Sequence, residues 1–190
     1  MKKQLILASS SPRRQELLKQ AQIPFQLRKQ EVDESIVPLA EPVETVTKLA
    51  KLKGESMSIR ANNEVILTAD TVVAFQNNIF GKPRDEEEAY RMISALSGNR
   101  HDVYTGVMIR SLENAILFTV KTEVEFWNLS ENEIRTYVHT REPYDKAGAY
   151  GIQGIGALLV KSINGDYFNV VGLPLSKTVR ELRNFGIYPV

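Results

Sequence analysis

Hydrophobic and polar positions alternate between two rhythms along this chain, short β-like runs and stripes at helical spacing. Residues 4–8 read as a buried strand, and residues 12–21 as a helix with Leu17, Leu18 and Ala21 on one face. Residues 25–32 read as extended. Over residues 42–60, Val43, Val46, Leu49 and Ala50 recur at the three-to-four spacing of a helix, with Gly54 a tolerated blemish. VILTADTVVAF, residues 65–75, is an apolar, β-branched run broken by Asp70. The pair Asn77 and Asn78 predicts a hairpin returning through Ile79 and Phe80. Asp85 opens another helix, with Glu88 completing a capping-box pattern ahead of Met92, Ile93 and Leu96. Two long β-like runs follow, 103–110 and 115–127, with LEN turning between them. Ser130 and Glu133 form a second box for a helix to about His139. Residues 157–163 read as a strand, and residues 175–185 as a closing helix stopped by Gly186.

Strands and helices interleave, but a β-hairpin block sits in the middle. The pattern predicts an α/β fold with a mixed sheet rather than a purely parallel one. No repeat, low-complexity tract or linker divides the chain, so a single domain over residues 1–190 is expected. The composition, 43% apolar and 25% charged, is that of an ordinary globular protein. With 24 Lys and Arg against 23 Asp and Glu, the net charge is +1, so bulk attraction to nucleic acid or membrane is not indicated. Any anion site must arise from local clustering. The absence of cysteine excludes a disulfide scaffold, a thiolate nucleophile and a Cys-ligated zinc site. The run LILA is too short for a signal peptide and is followed by arginines, and no stretch approaches the roughly 20 apolar residues of a membrane span. A cytoplasmic protein is the expectation.

The candidate chemistry begins at SSSPRR, residues 9–14. Pro12 suits the first helical position with Ser11 as N-cap, which puts Arg13 and Arg14 at the positive end of the helix dipole. Basic side chains are disfavoured there by about 0.3–1 kcal/mol each. A bound phosphate reverses that sign, because hydroxyls, free N–H groups and guanidiniums then face one anion; the alternative is a plain Ser-Pro helix start with solvated arginines. Asp70, a lone carboxylate in an apolar run, is costly to bury unless paired, metal-bound or at a strand end. It is a candidate to orient and deprotonate water; a turn-initiating Asp is the alternative. Lys53 and Lys82 are each long enough to reach a polyphosphate, though a single lysine is more often a solvated surface residue. GIQGIG lacks both the G-x-G-x-x-G spacing and the Walker lysine, so a phosphate loop is rejected. Gln153, between glycines, has room to present its amide to a base edge; a Gly-rich turn is the alternative. Glu31, Asp33 and Glu34 form an acidic cluster able to offer a carboxylate to Mg²⁺ or Mn²⁺, or simply a solvated turn. DEEE at 85–88 is assigned to helix capping. His101 and His139 stand in no ligand or triad spacing and receive no role.

Taken together, LASSSPRRQELL, EVDE, LAKLKG, ADTVV, GKP, LSGNRHDVYTGV, EPYDKAGAYGIQGIGA and GDYFNVVGLPL resemble the Maf family, also called septum formation inhibitor Maf-like proteins. The match runs in order over essentially the whole chain. The resemblance implies nucleoside triphosphate pyrophosphatase activity on an elongated mixed-sheet fold related to inosine triphosphate pyrophosphatases, with two lobes around a central cleft and frequent homodimers. It implies Asp70 as proton acceptor, and Ser9, Arg13, Arg14, Lys53 and Lys82 on the phosphates. Glu34, with Asp70, is implied at a divalent cation (Mg²⁺, Mn²⁺ or Co²⁺). Arg13, Thr71 and Gln153 match the positions tied to substrate choice in the branch that hydrolyses dTTP, UTP and modified pyrimidine nucleotides; the other branch prefers 7-methyl-GTP. Gly54 departs from the family's usual Ala. The implied reaction is cleavage at the α–β bond to nucleoside monophosphate and pyrophosphate, suited to cleansing the nucleotide pool, with a further link to septum formation. A nucleotide-binding regulator without enzymatic activity is the rival reading; it would use the same cations but not Asp70.

Overall fold

The apolar N-terminal run forms β1 (Gln4–Leu7), whose last three residues are buried. This computed structural model describes residues 2–37 and 41–190. Leu5, Ile6 and Leu7 pair in parallel with both β2 (Phe25–Leu27) and β3 (Glu64–Phe75). The buried β-branched and aliphatic residues of β3 suit this position, whereas β2 is half-buried at Phe25 and exposed at Gln26 and Leu27. β4 (Asn78–Phe80) returns antiparallel along the end of β3. Beyond β3 come β5 (Arg100–Arg110) and β6 (Ala115–Phe126), and β7 (Val160–Asn164) pairs antiparallel with β6. The seven strands follow the order β2-β1-β3-β5-β6-β7, with β4 on β3. Parallel and antiparallel pairs coexist, as the mixed α/β pattern predicts.

The chain divides into two compact units, one formed by Met1–Asp70, Thr105–Val120 and Gly172–Val190, the other by Thr71–Tyr104 and Lys121–Val171. The first carries α1 (Pro12–Gln20), α2 (Pro42–Ser56) and α6 (Leu175–Arg183). The inward stripe of α2 is Thr45, Val46, Leu49, Ala50, Lys53 and Gly54. Close approach of α2 to β5 depends on Gly106, where a Cβ would lie 2.4 Å from the Val46 carbonyl oxygen. Gly54 is matched to Met108, whose Sδ lies 2.5 Å from where an alanine Cβ would stand.

The second unit carries α3 (Glu86–Leu96), α4 (Glu131–Val138) and α5 (Tyr167–Val171). Its core includes Ile93, Leu96, Phe126, Tyr137 and Val138. His101 belongs to this core. It is 3% exposed and meets Phe126 and Tyr150 edge-on at centroid distances of 4.9 and 5.4 Å. Its Nε2 lies 2.8 Å from the Tyr150 hydroxyl, while Nδ1 has no partner.

Four sequence expectations shift. The helix expected to Arg60 stops at Ser56, where the Arg110 guanidinium donates to the carbonyls of Gly54 (2.9 Å) and Met57. Strand pairing after Phe25 ends at Leu27, because Arg28 turns to the buried Glu64 carboxylate at the start of β3. The strand expected from residue 157 begins only at Val160, after a 3-10 turn over Gly154–Leu159. Asp85 accepts from the Glu88 N–H at 2.8 Å, but Glu88 reaches past the cap to the Arg84 N–H, so only half of that box forms. The Ser130–Glu133 box forms in both directions. Among the described residues, no helix is long and apolar enough to cross a membrane.

Burial lowers the His101 pKa from 6.5 to about 4. The folded state therefore refuses a proton that the unfolded chain accepts between those values, and stability falls as the pH drops through that window. The linkage amounts to about 2 kcal/mol lost between pH 7.5 and 5. Urea unfolding of wild type and His101→Gln at both pH values should show a shallower pH slope in the variant. Equal slopes would contradict the assignment.

Candidate functional site

Parallel pairing sets the site's geometry. With Leu7 opposite Leu67, and the Ala8 N–H donating to the Leu67 carbonyl at 3.0 Å, β1 ends just short of the level of Asp70. The chain then enters Ser9–Ser10–Ser11 and α1, the usual place for ligands at the carboxyl ends of parallel strands. Ser11 holds the N-cap position but makes no side-chain cap bond. Instead, the Ser9 hydroxyl accepts from the Ser11 N–H at 3.3 Å and from Arg14 Nη1 at 3.2 Å.

Arg14 is further fixed by donation from Nε to the Gly172 carbonyl at 2.7 Å. Burial pushes its guanidinium below the ordinary arginine value; Asp70 opposes that effect, neighbouring Arg13 adds to it, and Glu34 opposes it. Arg13 is half-buried on the same first turn. Gly172 had no sequence assignment, although GDYFNVVGLPL was part of the matching pattern.

Lys53 is buried because of its spacing. It falls seven residues after Val46 and four after Leu49, on the stripe of α2 that faces the sheet. There it meets Asp70, which lies on the same face of β3 as Thr68, two residues earlier. Thr68 donates to the Ala50 carbonyl at 2.7 Å, and Lys53 Nζ sits 2.5 Å from Asp70 Oδ1. Glu34 Oε1 approaches the same ammonium at 3.0 Å. The side chains of Lys53 and Asp70 are only 7% and 13% exposed, against 53% for Glu34. Asp70 therefore sits mid-strand and paired, which resolves the cost of burying it.

Of the acidic cluster, Glu34 alone among the three is placed against Lys53. Asp33 caps the short 3-10 turn Glu34–Ile36 by accepting from Ser35, and Glu31 pairs with Lys29. Among the described residues, no group of three or more His, Asp or Glu is arranged to hold a metal ion. Magnesium commonly binds through one or two carboxylates together with substrate phosphates and water. Glu34 and Asp70 fit that mode, in which the phosphate supplies most of the oxygens.

Thr71, Lys82 and Gln153 belong to the second unit. Thr71 follows Asp70 and by strand alternation faces the other way, on the side where Val73 packs over Gly148. Lys82 is exposed after β4, beside Gly81, whose carbonyl accepts from the Gly148 N–H at 3.0 Å. Gln153 is exposed at the N-cap of the 3-10 turn, and its side chain makes no cap bond. The structure thus gathers Ser9, Arg13, Arg14, Glu34, Lys53 and Asp70 in one unit and carries the other three on the second.

A family described as Maf-like protein matches residues 4–185. A dTTP/UTP pyrophosphatase of Geobacillus sp. (strain WCH70) is 54% identical over 184 residues, covering 97% of this chain and 99% of that protein. A dTTP/UTP pyrophosphatase of Halalkalibacterium halodurans is 51% identical over 184 residues, covering 97% of each. A solved HAM1 protein from Coxiella burnetii aligns at a TM-score of 0.45 with 14% identity, over 96% of this chain and 99% of that one, a likeness too slight to argue from.

Removing one partner of a buried ion pair strands the other charge, at a cost of about 3–5 kcal/mol. Lys53→Met should therefore destabilise the protein strongly, and Asp70→Asn in the same chain should restore part of the loss. A double-mutant cycle by chemical denaturation is expected to give a coupling of about 1–3 kcal/mol. Additive effects would contradict the pairing.

Proposed function

The chain belongs to the Maf-like protein family, and we propose that it hydrolyses dTTP and UTP at the α–β phosphate bond. The observation that carries this reading is a buried carboxylate, Asp70, set among the cations Lys53 and Arg14. A triphosphate carries about four negative charges near neutral pH, which clustered cations such as Lys53 and Arg14 attract. Ser9, Arg13, Arg14 and Lys53, with Lys82, bind the phosphates, and their charge stabilises the pyrophosphate as it leaves. Lys53 engages Oδ1 of Asp70, so Oδ2 is the atom assigned to the attacking water. The water oxygen bonds to Pα as its proton passes to Asp70, and the bond from Pα to the bridging oxygen breaks. Nucleoside monophosphate and pyrophosphate result.

Glu34 and Asp70 are the residues that would hold a divalent cation arriving with the phosphates. Such an ion neutralises phosphate charge and acts as a Lewis acid. Thr71 and Gln153, with Arg13, set the preference for a pyrimidine, including modified pyrimidine nucleotides. An amide buried against the wrong base loses its hydrogen bonds, which makes such discrimination steep. The near-zero net charge supports free nucleotides rather than polynucleotide as substrate. The enzyme is proposed to act as a cytoplasmic homodimer that cleanses the nucleotide pool. A purely binding regulator of cell division has no use for a buried carboxylate among its phosphate ligands.

Asp70→Asn should lower pyrophosphate release by about 10²–10⁴-fold, the usual contribution of a general base. Near-wild-type turnover would remove Asp70 from this role. Across dTTP, UTP, CTP and 7-methyl-GTP with Mg²⁺ or Mn²⁺, the first two should give the highest kcat/KM. A preference for the methylated purine would contradict the pyrimidine assignment.

A further inference from the structure

A helical start leaves backbone N–H groups that its own N-cap side chain normally satisfies. At the 3-10 turn Gly154–Leu159 the N-cap is Gln153, and its side chain takes no part. The acceptor comes from elsewhere in the chain. Glu142 Oε2 accepts from the Ile155 N–H at 3.0 Å, and Oε1 accepts from the Gly156 N–H at 2.8 Å. The Tyr137 hydroxyl donates to Oε1 at 3.2 Å and itself accepts from the Gly151 N–H at 3.2 Å. Both ends of the segment around Gln153 are thereby tied to one carboxylate–phenol pair.

The glycines fit this clasp. At Gly154, with φ of +66°, a Cβ would lie 2.6 Å from Glu142 Oε2. At Gly156 it would lie 2.1 Å from the Gly151 carbonyl oxygen. The two amides a phosphate would seek are already occupied by a carboxylate, which is why this Gly-rich loop does not act as a phosphate cradle. What it presents outward is the Gln153 side chain.

We propose that Glu142, supported by Tyr137, is a positioning residue for substrate selection: it caps the turn in place of Gln153 and so frees the Gln153 amide for the base edge. This rests on the reading that Gln153 recognises the pyrimidine. A carboxylate suits the task because both oxygens only accept. A glutamine at this position would turn an NH₂ donor toward one of the two N–H groups.

The test uses full-length wild type, Glu142→Gln, Tyr137→Phe and Gln153→Ala, with UTP and CTP as substrates and pyrophosphate as product inhibitor. Losing one charge-assisted hydrogen bond should raise the Glu142→Gln KM for UTP about tenfold with kcat within about threefold. The UTP-over-CTP preference should fall by about the same factor. Tyr137→Phe should move both in the same direction by a smaller factor. The inhibition constant of pyrophosphate, which engages only the phosphate-binding cations, should stay unchanged, whereas a general loss of structure would raise it too. If Glu142→Gln and Tyr137→Phe keep the wild-type preference while Gln153→Ala loses it, the positioning role is wrong and the base-reading role stands. If Gln153→Ala keeps the preference, the base-reading role fails, and the positioning role with it. Parallel loss of UTP binding and pyrophosphate inhibition in both clasp variants would also overturn the proposal.

Discussion

A lysine ammonium buried against an aspartate is the contact on which the rest of the site depends. Neither group is affordable alone in the interior, since an isolated ion there costs several kcal/mol. Together they join the last turn of α2 to the middle of β3 and draw Glu34 toward the same ammonium. The C-terminal turn of a helix is also where a cation is electrostatically welcome. One pair therefore fixes the end of a helix against the sheet, orients a carboxylate and holds a buried positive charge between two carboxylates.

The cations gathered near this pair are the ones proposed to meet a polyphosphate. Arg13 and Arg14 stand at a helix start that favours anions, and Arg14 is held below its ordinary pKa chiefly by burial. In the proposed reading, a phosphate brings further negative charge to the guanidiniums, the helix N-terminus and Lys53. The second unit handles a different problem. Its Gly-rich loop has two amides occupied by Glu142, which in the proposed reading leaves the Gln153 amide for a base edge. The proposed charge-recognising and base-recognising residues are carried by separate pieces of chain, each stabilised by its own hydrogen bonds.

Features that depend on near neighbours were legible in the sequence. The Ser130–Glu133 box, the strand around Asp70 and the stripe of α2 are all local patterns. The same stripe also carried a signal that composition alone hides: Lys53 falls in phase with Val46 and Leu49, whereas Lys82 has no such phase and is exposed. Features set by distant partners were not legible. The helix after Ser56 ends on Arg110, the strand after residue 157 yields to a turn capped by Glu142, and Arg14 leans on the Gly172 carbonyl. Those partners lie 56, 14 and 158 positions away, beyond the reach of any periodicity. The tie of Arg13, Thr71 and Gln153 to substrate choice came from family resemblance, although the residues themselves offered Arg13 to a phosphate and the Gln153 amide to a base edge.

If Lys53 is shared between Asp70 and the phosphates, the Asp70 charge opposes nucleotide binding even as it serves the chemistry. With divalent cations removed by chelation, so that no ion bridges Asp70 to the phosphates, calorimetric titration of a UTP analogue with an α,β-methylene bridge into wild type and Asp70→Asn measures this directly. The account requires the variant to bind at least as tightly as wild type, and several-fold more tightly at low ionic strength, where charge repulsion is least screened. Binding weakened by about tenfold or more would show that Asp70 holds the substrate and that the shared-lysine account is wrong.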